Sequence, residues 1–447
     1  MEVRLSGGDD RNLMERLLEK QIPLSNSCNG KGTCGKCKVR VVSGTITDVT
    51  DTERRLLTEK EVAGRMRLAC MTKARGEVVI ETGEGEEDHV FTTGGVEGHF
   101  ERDADKHGYG LAVDIGTTTV VATLVNMDDG TEGATYAQIN PQKTYGLDVL
   151  TRITYETEYK EKAITQLQEA IVHGLNEATK GICAEAGIDV TQIGEIDIAA
   201  NCTMLHMLAG VDARPIGRAP YKPAFTDGQK LKARDLGLMG AADAMVYLLP
   251  SVSAYIGADI VAGVYVCDLR HSSGKTLFID IGTNGELVLE AGGKMYSCSC
   301  AAGPALEGMN ITSGMRAAKG AVEDVHIGPD GIRLDVIGKG KPHGLCGSGI
   351  LAVVRELVRT GLVTKRGAFA KPEDFEVGDY RRDILRYNGN KREALLYSSG
   401  ETELLVTQSD VRQVQLAKGA IRSGIEVLLS QGGLTYEDID KVLIAGQ

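Results

Sequence analysis

The chain lacks any run of about 18 apolar residues, so no stretch of it reads as a membrane-spanning helix. Its opening, Met1-Glu2-Val3-Arg4, leads straight into a strand-like pattern without the apolar stretch of a secretion signal. No Walker-type phosphate loop is present, and no G-x-G-x-x-G follows a strand, which removes the two commonest glycine-rich nucleotide motifs. No repeat at a period of about 20–50 residues is visible, which argues against solenoids and propellers. Positive charge is in deficit: the formal net charge is −12, which argues against nucleic acid as a main partner. Ten cysteines without a secretion signal point to a reducing compartment, the cytoplasm, and to metal ligation in place of disulfides.

What is present begins with those cysteines. Cys28, Cys34 and Cys37 lie in Ser27-Cys28-Asn29-Gly30-Lys31-Gly32-Thr33-Cys34-Gly35-Lys36-Cys37, and Cys70 follows in Arg67-Leu68-Ala69-Cys70. The spacing C-x5-C-x2-C…C is one residue longer than the plant-type 2Fe–2S pattern. Such a cluster needs four converging thiolates and backbone N–H groups aimed at its sulfides. Gly30, Gly32 and Gly35 allow the tight wrapping this requires. A structural zinc site usually pairs two short knuckles, whereas Cys70 stands alone. The pattern therefore predicts a 2Fe–2S cluster on Cys28, Cys34, Cys37 and Cys70. Cys183, Cys202, Cys267, Cys298, Cys300 and Cys346 read as small buried residues, with a second metal site at Cys298-x-Cys300 as the alternative.

A length of 447 residues suggests about three domains. Residues 1–83 read as short strands (38–42 and 77–81 among them), one helix near 12–20 and the cysteine loop. Residues 84–108 are acidic and glycine-containing, the composition of a flexible linker. From 109 onward strands and helices alternate, which predicts an α/β architecture.

Two similar units stand out in that region. Gly110-Leu111-Ala112-Val113-Asp114-Ile115-Gly116-Thr117-Thr118-Thr119-Val120-Val121 is echoed by Leu277-Phe278-Ile279-Asp280-Ile281-Gly282-Thr283-Asn284-Gly285-Glu286-Leu287-Val288. Each reads as an apolar strand, Asp-Ile-Gly-Thr, and a second apolar strand. Glycine lets the backbone approach a phosphate, and N–H groups and threonine hydroxyls donate to its oxygens. The aspartate can hold Mg²⁺ through water. One such hairpin is an ordinary turn; two at domain-scale separation predict a two-sided grip on a nucleoside triphosphate.

These residues resemble the phosphate loops of the actin, sugar-kinase and heat-shock-chaperone superfamily of ATPases, whose two RNase-H-like lobes clasp ATP. The resemblance assigns Asp114, Gly116, Thr117, Thr118 and Thr119 to the first loop, and Asp280, Gly282, Thr283, Asn284 and Gly285 to the second. It makes Asp259, in Ser253-Ala254-Tyr255-Ile256-Gly257-Ala258-Asp259, the candidate that orients attacking water. A helix-start aspartate facing the macrodipole is the alternative. Gly347, Ser348 and Gly446 become candidates for contact with the nucleotide. Lobe 1 would span 109–255, and the connecting helix with lobe 2 would span 256–447.

A 2Fe–2S domain joined to such an ATPase resembles the reductive activators of corrinoid proteins. Asn201-Cys202-Thr203-Met204-Leu205-His206, Gly303-Pro304-Ala305-Leu306-Glu307-Gly308-Met309-Asn310-Ile311, Ser313-Gly314-Met315-Arg316-Ala317 and Asp410-Val411-Arg412-Gln413-Val414-Gln415-Leu416-Ala417 carry the likeness further. The resemblance implies an α+β ferredoxin (β-grasp) domain followed by an α/β two-lobed, RNase-H-like domain. It implies ATP with Mg²⁺, a corrinoid protein in its Co(II) state as partner, and an upstream low-potential electron donor. A homodimer is one arrangement it allows; nucleic acid and membrane are not implied. The implied reaction passes one electron to inactive Co(II) to regenerate Co(I). An ATP-gated donor to another low-potential enzyme, or an iron–sulfur redox sensor with a nucleotide domain, are the alternatives. Residues 83–109 leave no room for the extra middle domain of some activators. The ending Val442-Leu443-Ile444-Ala445-Gly446-Gln447 reads as a fragment boundary inside lobe 2. His206, Met204, Met207, Met309 and Met315 read as structural, Arg316 and Lys319 as a solvated face, and residues 166–186 as an amphipathic surface helix.

Overall fold

The computed structural model describes residues 2–20, 22, 24, 30, 32, 35, 37–82, 103, 105–400 and 402–446. Cys28, Cys34 and most of the linker stretch 84–108 lie outside the described residues. The described residues fall into two compact units, one drawn from 1–88 and 141–170, the other from 89–140 and 171–447.

In the first unit, β1 (Glu2–Leu5), β2 (Lys38–Ile46), β3 (Met66–Leu68) and β4 (Ala74–Thr82) form an antiparallel sheet in the order β1-β4-β2-β3. The helix Leu13–Glu19 starts where Asn12 and Glu15 cap each other's backbone N–H groups. Its i, i+4 pair, Leu13 and Leu17, is fully buried in the same core as Val39, Val41, Val78 and Ile80. Cys37 and Cys70 belong to that core. The short helices Asp51–Leu56 and Glu59–Ala63 open on capping boxes as well, Thr50 with Glu53 and Thr58 with Glu61.

The second unit is built on two sheets of one plan. β5 (Tyr109–Ile115), β6 (Thr119–Asn126) and β7 (Thr131–Ile139) form an antiparallel meander. β8 (Ile193–Ala200) joins β5 in parallel, and β9 (Gln229–Lys232) and β10 (Met245–Leu248) complete the order β7-β6-β5-β8-β10-β9. β11 (Thr276–Ile281), β12 (Gly285–Ala291) and β13 (Lys294–Cys300) form a second meander. Two three-stranded sheets follow. One holds β14 (Ala321–Gly328), β15 (Gly331–Val336) and β16 (Gly344–Leu345); the other holds β17 (Leu385–Asn388), β18 (Lys391–Ser399) and β19 (Thr402–Thr407). The chain then returns as β20 (Lys441–Gly446), parallel to β11, giving β13-β12-β11-β20. In both main sheets the first strand is central, with its meander on one side and a parallel strand on the other. This repeat places the two Asp-Ile-Gly-Thr turns at equivalent ends of equivalent strands.

The predicted structural residues take that role. His206 is fully buried; its Nδ1 lies 2.7 Å from the Cys202 carbonyl, its Nε2 accepts from the Ala224 N–H, and its ring stacks on Phe225 at 4.2 Å. Met204 and Met207 are buried, Met309 and Met315 half-buried; Lys319 is exposed as a solvated face requires, whereas Arg316 is half-buried and departs from that expectation. The helix Glu161–Ala186 buries Ala163, Leu167, Ile171, Leu175, Ala178 and Ile182 at a helical period. Cys298 and Cys300 face the helix Gln408–Gly432 at Gly424, where a Cβ would lie 2.3 Å from the Cys300 sulfur. Burial pushes the Cys298 thiol up to about 12. Among the described residues no three His, Cys, Asp or Glu side chains converge to hold a metal ion, and no helix is long and apolar enough to cross a membrane.

Candidate functional site: a cysteine pocket and a two-hairpin cleft

The cysteine pocket is organised by a buried ion pair. Glu53 is fully buried and Arg67 nearly so. Glu53 accepts from Arg67 Nε and Nη2 at 2.9 Å each, from the Leu68 N–H at 3.1 Å, from Thr72 Oγ1 at 3.1 Å and from the Thr50 N–H at 2.9 Å. Burial alone would raise the Glu53 carboxyl, but the Arg67 guanidinium and the backbone donors bring it down to about 2. These bonds clamp the segment 67–72 that carries Cys70. Cys70 and Cys37 are buried with their sulfurs 3.2 Å apart. The hydrogen bond with Cys70 lowers Cys37 to about 7 against the upward push of burial. Two thiolates at about 2.3 Å from one tetrahedral metal stand a little under 4 Å apart, so a small side-chain rotation suits the pair to a shared iron. Gly30, Gly32 and Gly35 have φ of 77°, 68° and 68°, the left-handed conformations that glycine adopts freely. The described part of the pocket therefore fits an iron–sulfur cluster.

The second site lies between the two hairpins. Ile115 pairs with Val120 across the first turn, and Ile281 with Gly285 across the second. Gly116, Thr117 and Thr118 form the first turn, and Thr119 opens β6, buried. A Cβ at Gly116 would lie 2.9 Å from the Thr119 carbonyl, so the turn tolerates little else. Asn140 Nδ2 donates to the Gly116 carbonyl at 2.8 Å, and Asn201 Nδ2 donates to Thr117 Oγ1 at 3.1 Å. Asn201 also caps the helix Cys202–Leu208. Gly282, Thr283 and Asn284 form the second turn, with Gly285 opening β12.

Besides Glu307, four carboxylates line this cleft. Asp114 lies near the end of β5 and Asp280 near the end of β11. Asp259 enters from the first turn of the helix Ala258–Val266, where its Oδ1 accepts from the Ile260 N–H at 2.9 Å. Gly257 makes that approach feasible, since a Cβ there would lie 2.5 Å from Asn201 Cα. Glu286 stands directly opposite Asp280 in the β11–β12 register. Like charges directly opposite on adjacent strands repel. Burial pushes Asp259 up to about 6, with the charge of Asp280 adding to it. Burial, with the charges of Asp259 and Asp280, pushes Glu286 up to about 8. Burial raises Asp280, and burial with the charges of Asp259 and Asp280 raises Asp114, although Asp114 stays open to solvent from the cleft. Groups in this condition favour a proton or a cation among them.

Sequence reasoning missed the group that joins the hairpins. Thr118 Oγ1 donates to Glu307 Oε2 at 3.2 Å, and Thr283 Oγ1 donates to Glu307 Oε1 at 2.5 Å. Asn140 and Glu286 were also given no role. The alternation of β11 and β12 across a three-residue turn could have revealed Glu286. Gly347 and Ser348 open the helix Gly347–Arg359, and Gly446 ends β20 opposite Ile281. A Cβ on Gly347 would lie 1.8 Å from the Leu306 carbonyl, next to Glu307. Gly347→Ala is expected to cost about 1–3 kcal/mol in a denaturant melt; an unchanged midpoint would refute this close contact.

The fold, with the family models that match it, gives an iron–sulfur ferredoxin domain followed by an actin-like ASKHA domain. Residues 2–75 match the 2Fe-2S iron-sulfur cluster binding domain, 109–272 the RACo middle region, and 274–447 the C-terminal domain of RACo, the ASKHA domain. The middle-region match thus falls on the segment read as lobe 1, beyond the 83–109 interval. The corrinoid activation enzyme RamQ of Eubacterium limosum is 35% identical over 346 residues, 76% of this chain and 58% of that protein. The Co(II) methylated amine-specific corrinoid protein reductase of Methanosarcina barkeri is 24% identical over 371 residues, 76% of this chain and 62% of that protein. A solved reductive activator for corrinoid, iron-sulfur protein superposes with a TM-score of 0.67 at 28% identity, covering 98% of this chain and 84% of the other. The chain is homologous to these reductive activators of corrinoid proteins. It spans about six-tenths of the length of these two curated relatives.

Proposed function

We propose that this chain is an ATP-dependent reductive activator that passes one electron to the inactive Co(II) of a corrinoid protein, regenerating Co(I) for methyl transfer. The observation that carries the reading is the union, in one chain, of a buried cysteine pocket and a two-hairpin cleft, in a protein homologous to corrinoid activators. Cys28, Cys34, Cys37 and Cys70 would hold the 2Fe–2S cluster, with the Glu53–Arg67 pair keeping Cys70 in place. When bound, a plant-type cluster supplies one electron near about −400 mV, and a low-potential donor replenishes it. Co(II)/Co(I) couples in corrinoid proteins are expected to lie lower, so the transfer needs a further energy source or a change in cobalt ligation.

That is the part assigned to the cleft. Thr117, Thr118, Thr119, Thr283 and Asn284, with the N–H groups at Gly116, Gly282 and Gly285, donate to phosphate oxygens. Asp114 and Asp280 would hold Mg²⁺ through water, and the ion would supply positive charge beside the phosphates. Asp259 orients the attacking water. Gly347, Ser348 and Gly446 border the nucleoside. Closure of the hairpins on nucleotide then biases the encounter with the partner toward the form whose cobalt accepts the electron. A reducing cytoplasm suits cysteines that ligate a cluster in place of forming disulfides, and a homodimer is compatible with the reading.

The test is anaerobic. The pre-reduced chain is mixed with a Co(II) corrinoid protein and the visible spectrum is followed with and without Mg-ATP. Conversion to the Co(I) spectrum is expected with Mg-ATP alone. Equal rate and extent without nucleotide would overturn the proposal.

A further inference from the structure

We propose that Glu307 is the protein's own occupant of the phosphate site, an anion that nucleotide must displace before both hairpins can grip it. This rests on reading the cleft as a nucleotide site.

The argument is one of donor counting. A threonine hydroxyl carries a single proton to donate. Thr118 gives its proton to Glu307 Oε2 and Thr283 gives its proton to Glu307 Oε1, at 3.2 and 2.5 Å. The donors come from different hairpins, 189 and 24 residues from their shared acceptor. A carboxylate and a terminal phosphate present the same chemistry to such donors: paired anionic oxygens. While Glu307 holds both protons, neither hydroxyl can donate to a phosphate. Occupation by Glu307 and full engagement of a triphosphate therefore exclude each other.

The backbone under Glu307 is built to stay while the side chain leaves. Glu307 closes the single turn Pro304–Glu307, flanked by Gly303 and Gly308 at φ of 77° and 74°. A Cβ at Gly308 would lie 2.0 Å from the Met315 carbonyl, so that end is pinned. Leu306 of the same turn packs with Ala417 of the helix Gln408–Gly432. Rotation about the Glu307 side-chain torsions, without backbone movement, releases both hydroxyls together. The carboxylate thus joins the two hairpins in the absence of nucleotide and yields its place to the phosphates.

The prediction has an unusual sign. Glu307→Gln keeps the shape but weakens the competing acceptor, so Mg-ATP is expected to bind about tenfold more tightly, a charge-assisted hydrogen bond being worth about that much more than a neutral one. In a Thr118→Val/Thr283→Val background the same change is expected to alter affinity less than about twofold. Titration calorimetry of the full chain with Mg-ATP reads both, and a thermal melt without nucleotide reports the fold. If the Gln variant melts early, Glu307→Asp, one methylene too short to reach both hydroxyls, is expected to tighten binding likewise. Wild-type binding with unchanged or weaker binding by the variants overturns the role of Glu307 and leaves the nucleotide site standing. Absence of binding by every form overturns the nucleotide site and, with it, the displaced occupant.

Discussion

Serine at Cys37 is expected to strip the protein of its cluster, and serine at Cys70 to do the same. Both sulfurs lie in the core shared by Leu13, Leu17, Leu68 and Ile80, 3.2 Å from each other. A serine hydroxyl does not ionise near neutral pH, so neither replacement supplies the thiolate that iron requires. The loss should exceed the about 10–100-fold in metal affinity that even an outer hydrogen-bond partner costs. Iron and sulfide content and the electron paramagnetic resonance of the reduced protein measure it directly. Cobalt reduction should fall to background in the same samples. Cys298→Ser, in β13 of the second unit, is the control and should keep its iron. Full iron content in the Cys37→Ser protein would remove Cys37 from the ligand set.

The second large effect is on stability. Glu53→Ala should destabilise the ferredoxin domain by about 3–5 kcal/mol, because it leaves the buried Arg67 guanidinium without its carboxylate and the Leu68 and Thr50 N–H groups without their acceptor. The pH dependence follows from the direction of the shift. Glu53 is held at about 2 in the folded chain against an ordinary 4.5. A depressed carboxylate contributes its full stability above the unfolded value and loses it as pH falls toward the folded one. The gap between wild type and Glu53→Ala should therefore be constant near neutrality and narrow between about pH 4.5 and about pH 2. Urea melts followed by far-UV dichroism and by cluster absorbance measure it, and both signals should fall together because Glu53 anchors the segment holding Cys70. A difference below about 1 kcal/mol at pH 7 would mean that the pair is relaxed into water and does not organise the pocket.

The cysteine spacing, the glycines between them and the two Asp-Ile-Gly-Thr turns were legible because each is a local signal. The capping residues Asn12, Thr50, Thr58 and Asn201 are local in the same sense, each side chain meeting an N–H three residues ahead. The opposition of Asp280 and Glu286 was within reach too, since a three-residue turn sets the register of its own strands. Glu307 was not. Nothing in Pro304-Ala305-Leu306-Glu307 distinguishes it from a solvated glutamate until the chain brings Thr118 to it from 189 residues away.

By itself, then, the sequence determined the spacing of the four candidate cluster cysteines, the pair of Asp-Ile-Gly-Thr hairpins and the α/β class that carries them, because turn chemistry and residue spacing are encoded over a few neighbouring residues. Only the tertiary structure decided that the two hairpins face one carboxylate, that four acidic groups share one cleft, and that Glu53 grips the segment around Cys70. Those depend on which distant side chains the packed sheets bring within hydrogen-bond reach. Long-range contact of this kind is the sum of many weak packing choices, and no single stretch of residues states it.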